Sequence, residues 1–574
     1  MIADARAAGL PARLHADVVI VGSGPAGITL ALELAEAGTD VVLVEAGGAR
    51  FDRAEQAIYR AQDVQPPSHG PVDMFRRRVL GGSSSVWGGR CIPFDPIDFA
   101  ERPWMPHARW PIGYEDVAPY YPAALRWAEA GAPDFTADAA LPGEQRPMVA
   151  GVASADVVLD RVERFSRPSD FAKTYAARLR AAARLRLFTH APVTQILAED
   201  GGARVRGVRL SIAGRAVEVL APRVVLAAGG LETARLLLAS DEAMACGLGN
   251  GRDLVGRFYQ CHLEGEIGAI ALNRATARIG YSRAVDGTYC RRLIWLSPAA
   301  QRREQLAGLV LRPAHPNIVD PAHRDPVLSA MYLVKSFIVA EYARKMTSLE
   351  AEARAAFNGG NVAFHAAHLA NILRGSPRLA LFGADWLRRR NLASRKLPSV
   401  VLEDRRGVYP LDINAEQEPD PASRVHLGAE RDSLGMRRLV IDWRTTAADH
   451  DRLARGMALV AQGFAQGPGR ARIDLGDDFA ARVQHRVPVG GHHIGTARMA
   501  VDARQGVCDR NGEVFGTQGL FVAGAATFAT SGFANPTLVL LALTLRLADH
   551  LKAVPVARET AASPADRSPL AAMA

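Results

Sequence analysis

Three glycines and one glutamate near the start of the chain have the spacing of a dinucleotide-binding site. Gly22, Gly24 and Gly27 follow an apolar run at 18–21 in a G-x-G-x-x-G pattern. The first glycine permits a tight turn, the second lets the backbone approach a pyrophosphate, and the third lets a helix pack closely on a strand. Glu45 comes 18 residues after Gly27, about where a carboxylate accepts a ribose 2′-OH. An acid at this place also disfavours NADP.

The elements around these glycines are those of a strand–helix–strand unit. Residues 18–21 are a β-branched run long enough for a buried strand, and residues 28–37 form a helix that stops at Gly38. Residues 39–44 then form a second strand that ends at Glu45. A glycine-rich turn that serves only packing is the alternative, but strand, helix and acid together favour the dinucleotide.

A second glycine-rich segment has the composition of a ligand-covering loop. Residues 78–90 read R-V-L-G-G-S-S-S-V-W-G-G-R, which we do not expect to form a regular element. Such a loop offers backbone N–H groups and hydroxyls to a phosphate or a polyol, and Trp87 adds a flat apolar surface. The alternative is a flexible surface loop with a packed tryptophan.

Two further glycine turns follow buried strands later in the chain. Residues 223–238 read R-V-V-L-A-A-G-G-L-E-T-A-R-L-L-L, and residues 520–522 form a strand that runs into another glycine. Asn535 then lies at an N-cap position with Pro536 at the first helical position, where a missing N–H is tolerated. We expect an apolar helix from there to about residue 551, with partial positive charge at its N-terminus.

These motifs, in this order, resemble those of the glucose–methanol–choline (GMC) flavoprotein oxidoreductases. The matching segments are G-S-G-P-A-G with its glutamate, G-G-S-S-S-V-W-G-G, A-A-G-G-L-E-T-A-R-L-L, H-x-x-G-T and V-A-G…N-P-T-L. The resemblance covers nearly the whole chain and implies an FAD cofactor. The asparagine before P-T-L and the segment W-P-I-G-Y-E-D-V-A-P-Y-Y at 110–121 are similar to the bacterial pyranose-oxidase branch.

The resemblance implies that His492 is the catalytic base and that Asn535 is the second catalytic residue. Neutral imidazole is suited to removing an alcohol proton near neutral pH while hydride leaves for the flavin. The amide of Asn535 can hold the alcohol oxygen as negative charge develops on it. His493 is either a substrate contact or a neighbour of the site only.

The same motifs supply the residues expected to bind FAD. They are Gly22, Ser23, Gly24, Pro25, Ala26, Gly27, Glu45, Ala46, Gly81, Gly82, Ser83, Ser84, Ser85, Trp87, Val193, Ala228, Gly229, Gly524, Ala525, Pro536 and Thr537. Several sugar oxidases of the family attach FAD through a histidine just before the loop tryptophan. That position is Val86 here, which has no nucleophile, so we expect noncovalent FAD.

The fold expected from these patterns is α/β, with a Rossmann-type domain and a discontinuous substrate domain. Residues 1–110, 186–260 and 485–555 are assigned to a parallel-sheet FAD domain. Residues 111–185 and 261–484 are assigned to a substrate domain with an antiparallel sheet and a helical insertion at 326–395. Residues 1–16 and the tail at 556–574 are expected to be disordered, and 185–220 to form an antiparallel meander.

Composition excludes several other classes of protein. The chain has 574 residues, is 48% hydrophobic and 22% charged, and carries a net charge of +9 that is spread along the sequence. We therefore do not expect a nucleic-acid partner. The five scattered cysteines show no metal-binding spacing, so we expect no metal and a cytoplasmic setting. We expect no secretory signal and no transmembrane segment.

The apolar stripe at 327–342 is expected to pack on its own domain, with a membrane-surface or partner contact as the alternative.

The predicted function is FAD-dependent oxidation of a sugar, glycoside or other polyol at a CH–OH group. The electron acceptor is O₂ or, as an alternative, a quinone or a protein. A sterol or aliphatic alcohol is an alternative substrate. An NAD-linked hydride transferase and a flavin-binding partner subunit without catalysis are the rivals from other classes.

Overall fold

In the computed structural model, a parallel sheet is built from both ends of the chain. The structure describes residues 1–144, 146–167, 169–273, 277–338, 362–399, 401–402, 406–467, 471–486 and 491–554. Within them, the parallel sheet has the spatial order Ile2–Asp4, Leu185–Thr189, Val41–Val44, Val18–Val21, Val224–Leu226 and Leu520–Val522. Four of these strands are wholly buried apolar runs, as expected for a parallel sheet covered on both faces.

Alternate residues of the central strand face two different cores. Val18 and Ile20 pack with the helices Pro25–Glu36 and Thr537–Ala553. Val19 and Val21 belong to the core on the opposite face, which includes residues of the helix Gly229–Ala239. The two-residue period of a strand divides the side chains in this way, so the sheet is a buried middle layer.

The other strands form four further sheets in the described part of the chain. One joins Val193–Ala198, Val205–Ile212, Arg215–Leu220 and Arg13–His15. A fully antiparallel sheet has the order Arg472–Asp474, Leu263–Ala271, Val408–Ala415, Leu309–Pro313, Ile294–Leu296 and Val157–Val158. Another joins Tyr281–Arg283, Tyr289–Arg292, Val162–Phe165 and Arg90–Cys91, and the last joins Arg424–Arg431, Arg437–Asp442 and Asp63–Gln65. The expected combination of a parallel and an antiparallel sheet is confirmed.

The remaining helices connect and flank these sheets. The α-helices are Arg53–Gln56, Pro96–Phe99, Tyr121–Trp127, Ala137–Ala140, Phe171–Thr174, Ala176–Ala181, Pro298–Arg303, Pro326–Ile338, Val362–Arg374, Ser376–Trp386, Ala447–Ala465 and Phe479–Arg486. The predicted helical insertion is thus helical in its described parts, while residues 339–361 lie outside the described residues. The predicted disordered tail at 556–574 also lies outside them.

Four local predictions were wrong. Residues 1–16 are ordered, because Ile2–Asp4 and Arg13–His15 each extend a sheet. Leu185–Thr189 joins the parallel sheet and is not part of the meander. The loop after residue 78 contains a short 3₁₀ helix at Gly82–Ser85. The last long helix begins at Thr537 with Pro536 as its N-cap, so Asn535 lies one residue before the cap.

Candidate active site

A cavity of about 600 Å³ lies where the central strands of the parallel sheet end. Its wall includes the turns that follow Val18–Val21, Val224–Leu226 and Leu520–Val522. Ligands of doubly wound sheets bind at the carboxyl ends of strands, and this volume falls within the usual range of about 300–1,000 Å³ for ligand pockets. The topology therefore gathers three distant glycine turns around one space.

Most of the residues predicted from sequence line this cavity. The lining includes His492, His493, Asn535, Gly22, Ser23, Gly24, Pro25, Ala26, Glu45, Ala46, Gly82, Ser83, Ser84, Trp87, Val193, Ala228, Gly229, Gly524, Ala525, Pro536 and Thr537. Gly27, Gly81 and Ser85 are not part of the lining. The structure thus brings the predicted catalytic residues together with most of the predicted cofactor-binding ones.

The three outlying residues have structural roles beside the cavity. A Cβ on Gly27 would lie 1.8 Å from the carbonyl oxygen of Gly22, so this glycine allows the helix to pack on the turn. Gly81 has a left-handed φ of 89°, and its N–H donates to the hydroxyl of Ser23. The Ser85 hydroxyl donates to the Gly82 carbonyl within the loop.

Glu45 is tied to the first glycine turn by its carboxylate. One carboxylate oxygen accepts from the N–H of Ser23 at 3.1 Å and from its hydroxyl at 2.6 Å, and the other accepts from the Gly47 N–H at 2.8 Å. Burial raises the pKa of Glu45, while these hydrogen bonds act in the opposite direction. An ionised carboxylate can accept about four hydrogen bonds, so capacity for a ribose hydroxyl remains.

The segment that carries His492 is paired with the residues before an antiparallel strand. Gln260 and Ile494 exchange two backbone hydrogen bonds of 3.0 Å in an antiparallel bridge. Continuing this register by two residues places His262 opposite His492. The two imidazoles do meet there, with their Nδ1 atoms 2.8 Å apart.

The contacts of His262 determine which nitrogen of His492 carries its proton. The Nε2 of His262 lies 3.1 Å from the Ser531 carbonyl oxygen, which can only accept, so this nitrogen carries the proton. Burial, and then the neighbouring His492, lower the pKa of His262 to about 4, so its Nδ1 is an acceptor at neutral pH. The Nδ1 of His492 is therefore the donor, and in neutral His492 the Nε2 keeps its lone pair.

Glu264 reinforces this arrangement with a negative charge. Its Oε1 lies 2.7 Å from the Nδ1 of His492, and a carboxylate only accepts. Burial alone would raise the pKa of Glu264, but His492, His262 and Arg90 hold it below its ordinary value. Glu264 therefore stays ionised near neutral pH, directly behind the imidazole.

Asn535 completes the pair at the cavity. Its Nδ2 lies 3.0 Å from the Nε2 of His492, the nitrogen that carries the lone pair. The loop before it is held by a bond from the Asn414 side chain to the Phe533 carbonyl and by one from the Ser531 N–H to Gln260. The Oδ1 of Asn535 is buried and has no hydrogen-bond partner within the described residues.

His493 points away from His492 into a buried polar cluster. Its Nδ1 lies 2.6 Å from the hydroxyl of Tyr259, which also lies 2.7 Å from the Nε2 of His69 and 3.3 Å from the Cys261 sulfur. Burial, and then Arg76, lower the pKa of His493 well below its ordinary value. Its Nε2 is buried without a partner in the described part of the chain.

Both histidine clusters contain metal-ligand side chains, although no metal was expected. The groups are His69, Cys261 and His493, and His262, Glu264 and His492. In the first, the Tyr259 hydroxyl already joins the three side chains. In the second, His262 Nδ1 and Glu264 Oε1 already contact the Nδ1 of His492.

Sequence reasoning missed His262 and Glu264. Both lie in the region from 261 to 325 in which no motif was recognised. They are two residues apart at the start of an extended segment, and this spacing places both side chains on one face. A histidine and an acid on the same face of a strand were the signal, but only the pairing with residues 492–494 shows what that face contacts.

Two family models match the chain. The first, described as FAD dependent oxidoreductase, matches residues 17–246, and the second, described as GMC oxidoreductase, matches residues 419–544. The chain thus resembles the GMC oxidoreductases over residues 419–544 and FAD-dependent oxidoreductases over residues 17–246. The expected family resemblance is thereby confirmed.

Curated relatives are similar to this chain over part of their length. It is 26% identical over 305 residues to 2-methyl-1,2-propanediol dehydrogenase of Mycolicibacterium austroafricanum, a match that covers 43% of the chain and 55% of that relative. It is 33% identical over 123 residues to C-glycoside 3-oxidase of Microbacterium trichothecenolyticum, covering 21% and 22% of the two chains. The matches thus span about half or less of these relatives.

Solved structures show the same fold. Pyridoxine 4-oxidase from Mesorbium loti superimposes with a TM-score of 0.52 at 18% identity, over 93% of this chain and 99% of that one. A formate oxidase gives a TM-score of 0.53 at 15% identity, over 95% and 99%. No helix in the described residues has the length and apolar character needed to cross a membrane.

Proposed function

We propose that the protein oxidises an alcohol CH–OH group to a carbonyl with FAD as the hydride acceptor. The observation that carries this proposal is the pair at the cavity: a lone pair on His492 Nε2 and the amide N–H of Asn535, 3.0 Å apart. One group accepts a proton and the other donates a hydrogen bond. An alcohol oxygen between them would meet both requirements of its oxidation.

The cavity fits FAD by three independent features. A Cβ on Gly24 would meet no protein atom within 4 Å, so its backbone is open to a pyrophosphate. Glu45 retains capacity for a ribose hydroxyl, and the helix that starts at Thr537 directs its free N–H groups toward the cavity wall. FAD, when bound, supplies an acceptor for the hydride that leaves the alcohol carbon.

The residues of the chain then handle the proton and the developing charge. The substrate hydroxyl donates its hydrogen to Nε2 of His492, and its oxygen accepts from Nδ2 of Asn535. As the proton moves to Nε2, the imidazole becomes positively charged, and the carboxylate of Glu264 behind Nδ1 stabilises that charge. Positioned acid–base catalysis of this kind contributes about 10²–10⁴-fold to rate.

We propose a sugar, glycoside or other polyol as the substrate. The wall beside the catalytic pair combines aromatic surfaces, Trp87, Phe165 and Tyr281, with the charged groups of Arg90 and Glu264. Aromatic faces and charged hydrogen-bonding groups suit a molecule with several hydroxyls. The names of the relatives, a diol dehydrogenase and a glycoside oxidase, agree with this class. Membership of a pyranose-oxidase-like branch remains part of the proposal.

Anaerobic flavin bleaching tests the proposal. A panel of sugars, glycosides, diols and sterols is mixed with the yellow protein without oxygen, and loss of the visible flavin absorbance is followed by stopped flow. His492→Ala and Asn535→Ala should each keep the flavin but reduce it at least a hundredfold more slowly. His426→Ala, on a strand outside the cavity, is the matched control.

Three outcomes would contradict the proposal. One is a colourless protein that requires NAD, and another is a flavoprotein that no alcohol reduces. The third is reduction of either site variant as fast as the parent. Admitting oxygen after bleaching distinguishes the acceptors, because release of hydrogen peroxide identifies an oxidase and slow reoxidation favours a quinone or protein acceptor.

The proposed attachment of FAD is noncovalent. Val86 lines the cavity beside Trp87 and offers no nucleophile to the flavin. Precipitation with acid should therefore leave a white pellet and a yellow supernatant. A pellet that keeps the colour after washing would show a covalent bond.

A further inference from the structure

The helical insertion exposes an unusual amount of apolar surface. All five leucines that are exposed among the described residues belong to it: Leu369, Leu373, Leu381, Leu387 and Leu392. Leu373 is 67% exposed and Leu381 is 74% exposed. Soluble proteins rarely group exposed apolar side chains in this way unless the surface contacts a partner.

The exposed side chains follow helical spacing. On the helix Val362–Arg374, the exposed residues Val362, Ala366, Leu369 and Leu373 recur at intervals of three and four. On the next helix, Ser376–Trp386, the exposed residues Pro377, Leu381 and Ala384 are four and three residues apart, and the exposed Ala380 lies three residues after Pro377. Each helix therefore presents a continuous apolar stripe to solvent.

The opposite face of the first helix is fixed to the protein. The Nε2 of His368 lies 3.1 Å from the Val319 carbonyl, and the Asn371 side chain donates to the Pro321 carbonyl at 2.9 Å. Both side chains are buried. The helix cannot rotate its apolar stripe inward without breaking these bonds.

The part of the insertion from residue 362 onward, together with the four residues that follow the insertion, is strongly basic. Residues 362–399 contain seven arginine or lysine residues and a single acid, Asp385, which gives a net +6 out of +9 for the whole chain. Asp385 contacts both Arg388 and Arg389 at 3.2 Å, and Arg378 lies 2.9 Å from Asp325 of a neighbouring element. Positive charge remains in excess after these pairs.

We propose that this apolar–basic surface, formed by residues 362–396, docks on an anionic lipid bilayer. Leucines on exposed helical stripes, flanked by arginines, are the composition of helices that lie in a membrane interface. Anionic headgroups attract such cations, and the leucines enter the acyl boundary. A second copy of the chain is disfavoured as the occupant, because two strongly basic surfaces would face each other.

Docking would affect the catalytic cavity directly, because the surface is joined to its wall. The guanidinium of Arg390 donates to the carbonyls of Leu397 and Pro398, and Arg395 donates to the Glu129 carbonyl at 2.9 Å. Pro398 and Ser399 line the cavity. A bilayer on this surface would therefore hold the cavity wall close to lipid.

Vesicle co-sedimentation of the full-length holoprotein tests the inference without requiring turnover. Vesicles of phosphatidylcholine and phosphatidylglycerol, mixed in a roughly two-to-one ratio, should bind the protein, and pure phosphatidylcholine vesicles should bind it far less. Raising the salt concentration should release it, since surface charges are screened. Arg374→Glu and Arg388→Glu should each lower the partition coefficient at least fivefold. Leu373→Asp and Leu381→Asp should each lower it at least tenfold.

Matched controls lie elsewhere on the surface. Val501→Asp removes an exposed apolar group, at 59% exposure, and Arg302→Glu reverses an exposed charge. They should bind vesicles like the parent, and flavin absorbance and thermal unfolding verify that all variants are folded. No binding to anionic vesicles at low salt, or an equal loss in the controls, would overturn the inference. So would a dimer in light scattering that Leu373→Asp converts to a monomer.

Discussion

Replacing Glu264 by glutamine isolates the charge behind His492. The substitution keeps the size of the side chain, and His262 still holds the proton on Nδ1 of His492, while the negative charge 2.7 Å from that atom is lost. An opposite charge this close is worth about one to three pKa units, or about 1.4–4 kcal/mol, so flavin reduction should slow by about 10- to 1,000-fold. The loss arises because the protonated imidazole, which forms as the alcohol proton is accepted, no longer has a negative charge behind it.

The assay is stopped-flow flavin reduction across the neutral pH range with the best substrate of the panel. Glu266→Gln is the matched control, because Glu266 lies two residues further along the same strand and outside the cavity lining. Reduction of Glu264→Gln at the parental rate would refute the assigned role. An equal loss in Glu266→Gln would show that the effect is not specific to His492.

Three further predictions concern stability and cofactor binding. Arg102→Met leaves the buried carboxylate of Glu416 unpaired and should lower the free energy of unfolding by about 3–5 kcal/mol in urea titrations; an unchanged midpoint would contradict this. Gly24→Ala should fold normally but bind FAD weakly in a fluorescence titration. Gly27→Ala, whose Cβ would clash with a backbone carbonyl, should lower the melting temperature of the apoprotein. Weak FAD binding by a stable Gly27→Ala, or unfolding of Gly24→Ala, would be inconsistent with the cavity. The pKa of His262 is about 4 in the folded protein and about 6.5 in the unfolded chain. The free energy of unfolding should therefore fall by about 3 kcal/mol as the pH drops from 6.5 to 4. His262→Gln should make the free energy of unfolding less dependent on pH in this range.

The local patterns of the sequence predicted most of the residues that line the cavity. The turn at Gly22–Gly27 and the loop around Trp87 carry glycine spacing and hydroxyl content that follow from what a bound phosphate needs. These requirements act between residues close in the chain. Motifs of this kind can therefore be recognised in the sequence without knowledge of the rest of the fold.

Features that depend on long-range pairing were not predictable in this way. Leu185–Thr189 has the same alternating pattern whether it pairs in a meander or in the parallel sheet, and only its partner Val41–Val44 decides. The role of Glu264 likewise exists only because a segment from near the other end of the chain lies beside it. The start of the last helix was misplaced by one residue, since Asn535 and Pro536 are both compatible with a cap. The domain boundaries and the cytoplasmic setting stay predictions.

The parallel sheet has a consequence for how the protein is made. Its central strand, Val18–Val21, is synthesised well before Leu520–Val522, which lies at one edge. Asn535 leaves the ribosome later still, so a nascent chain has the phosphate turn long before it has the rest of the site. Contacts between segments so distant in sequence form slowly, because a long loop must close first. A chain truncated before Leu520–Val522 should therefore be unable to complete the sheet or the cavity at its end.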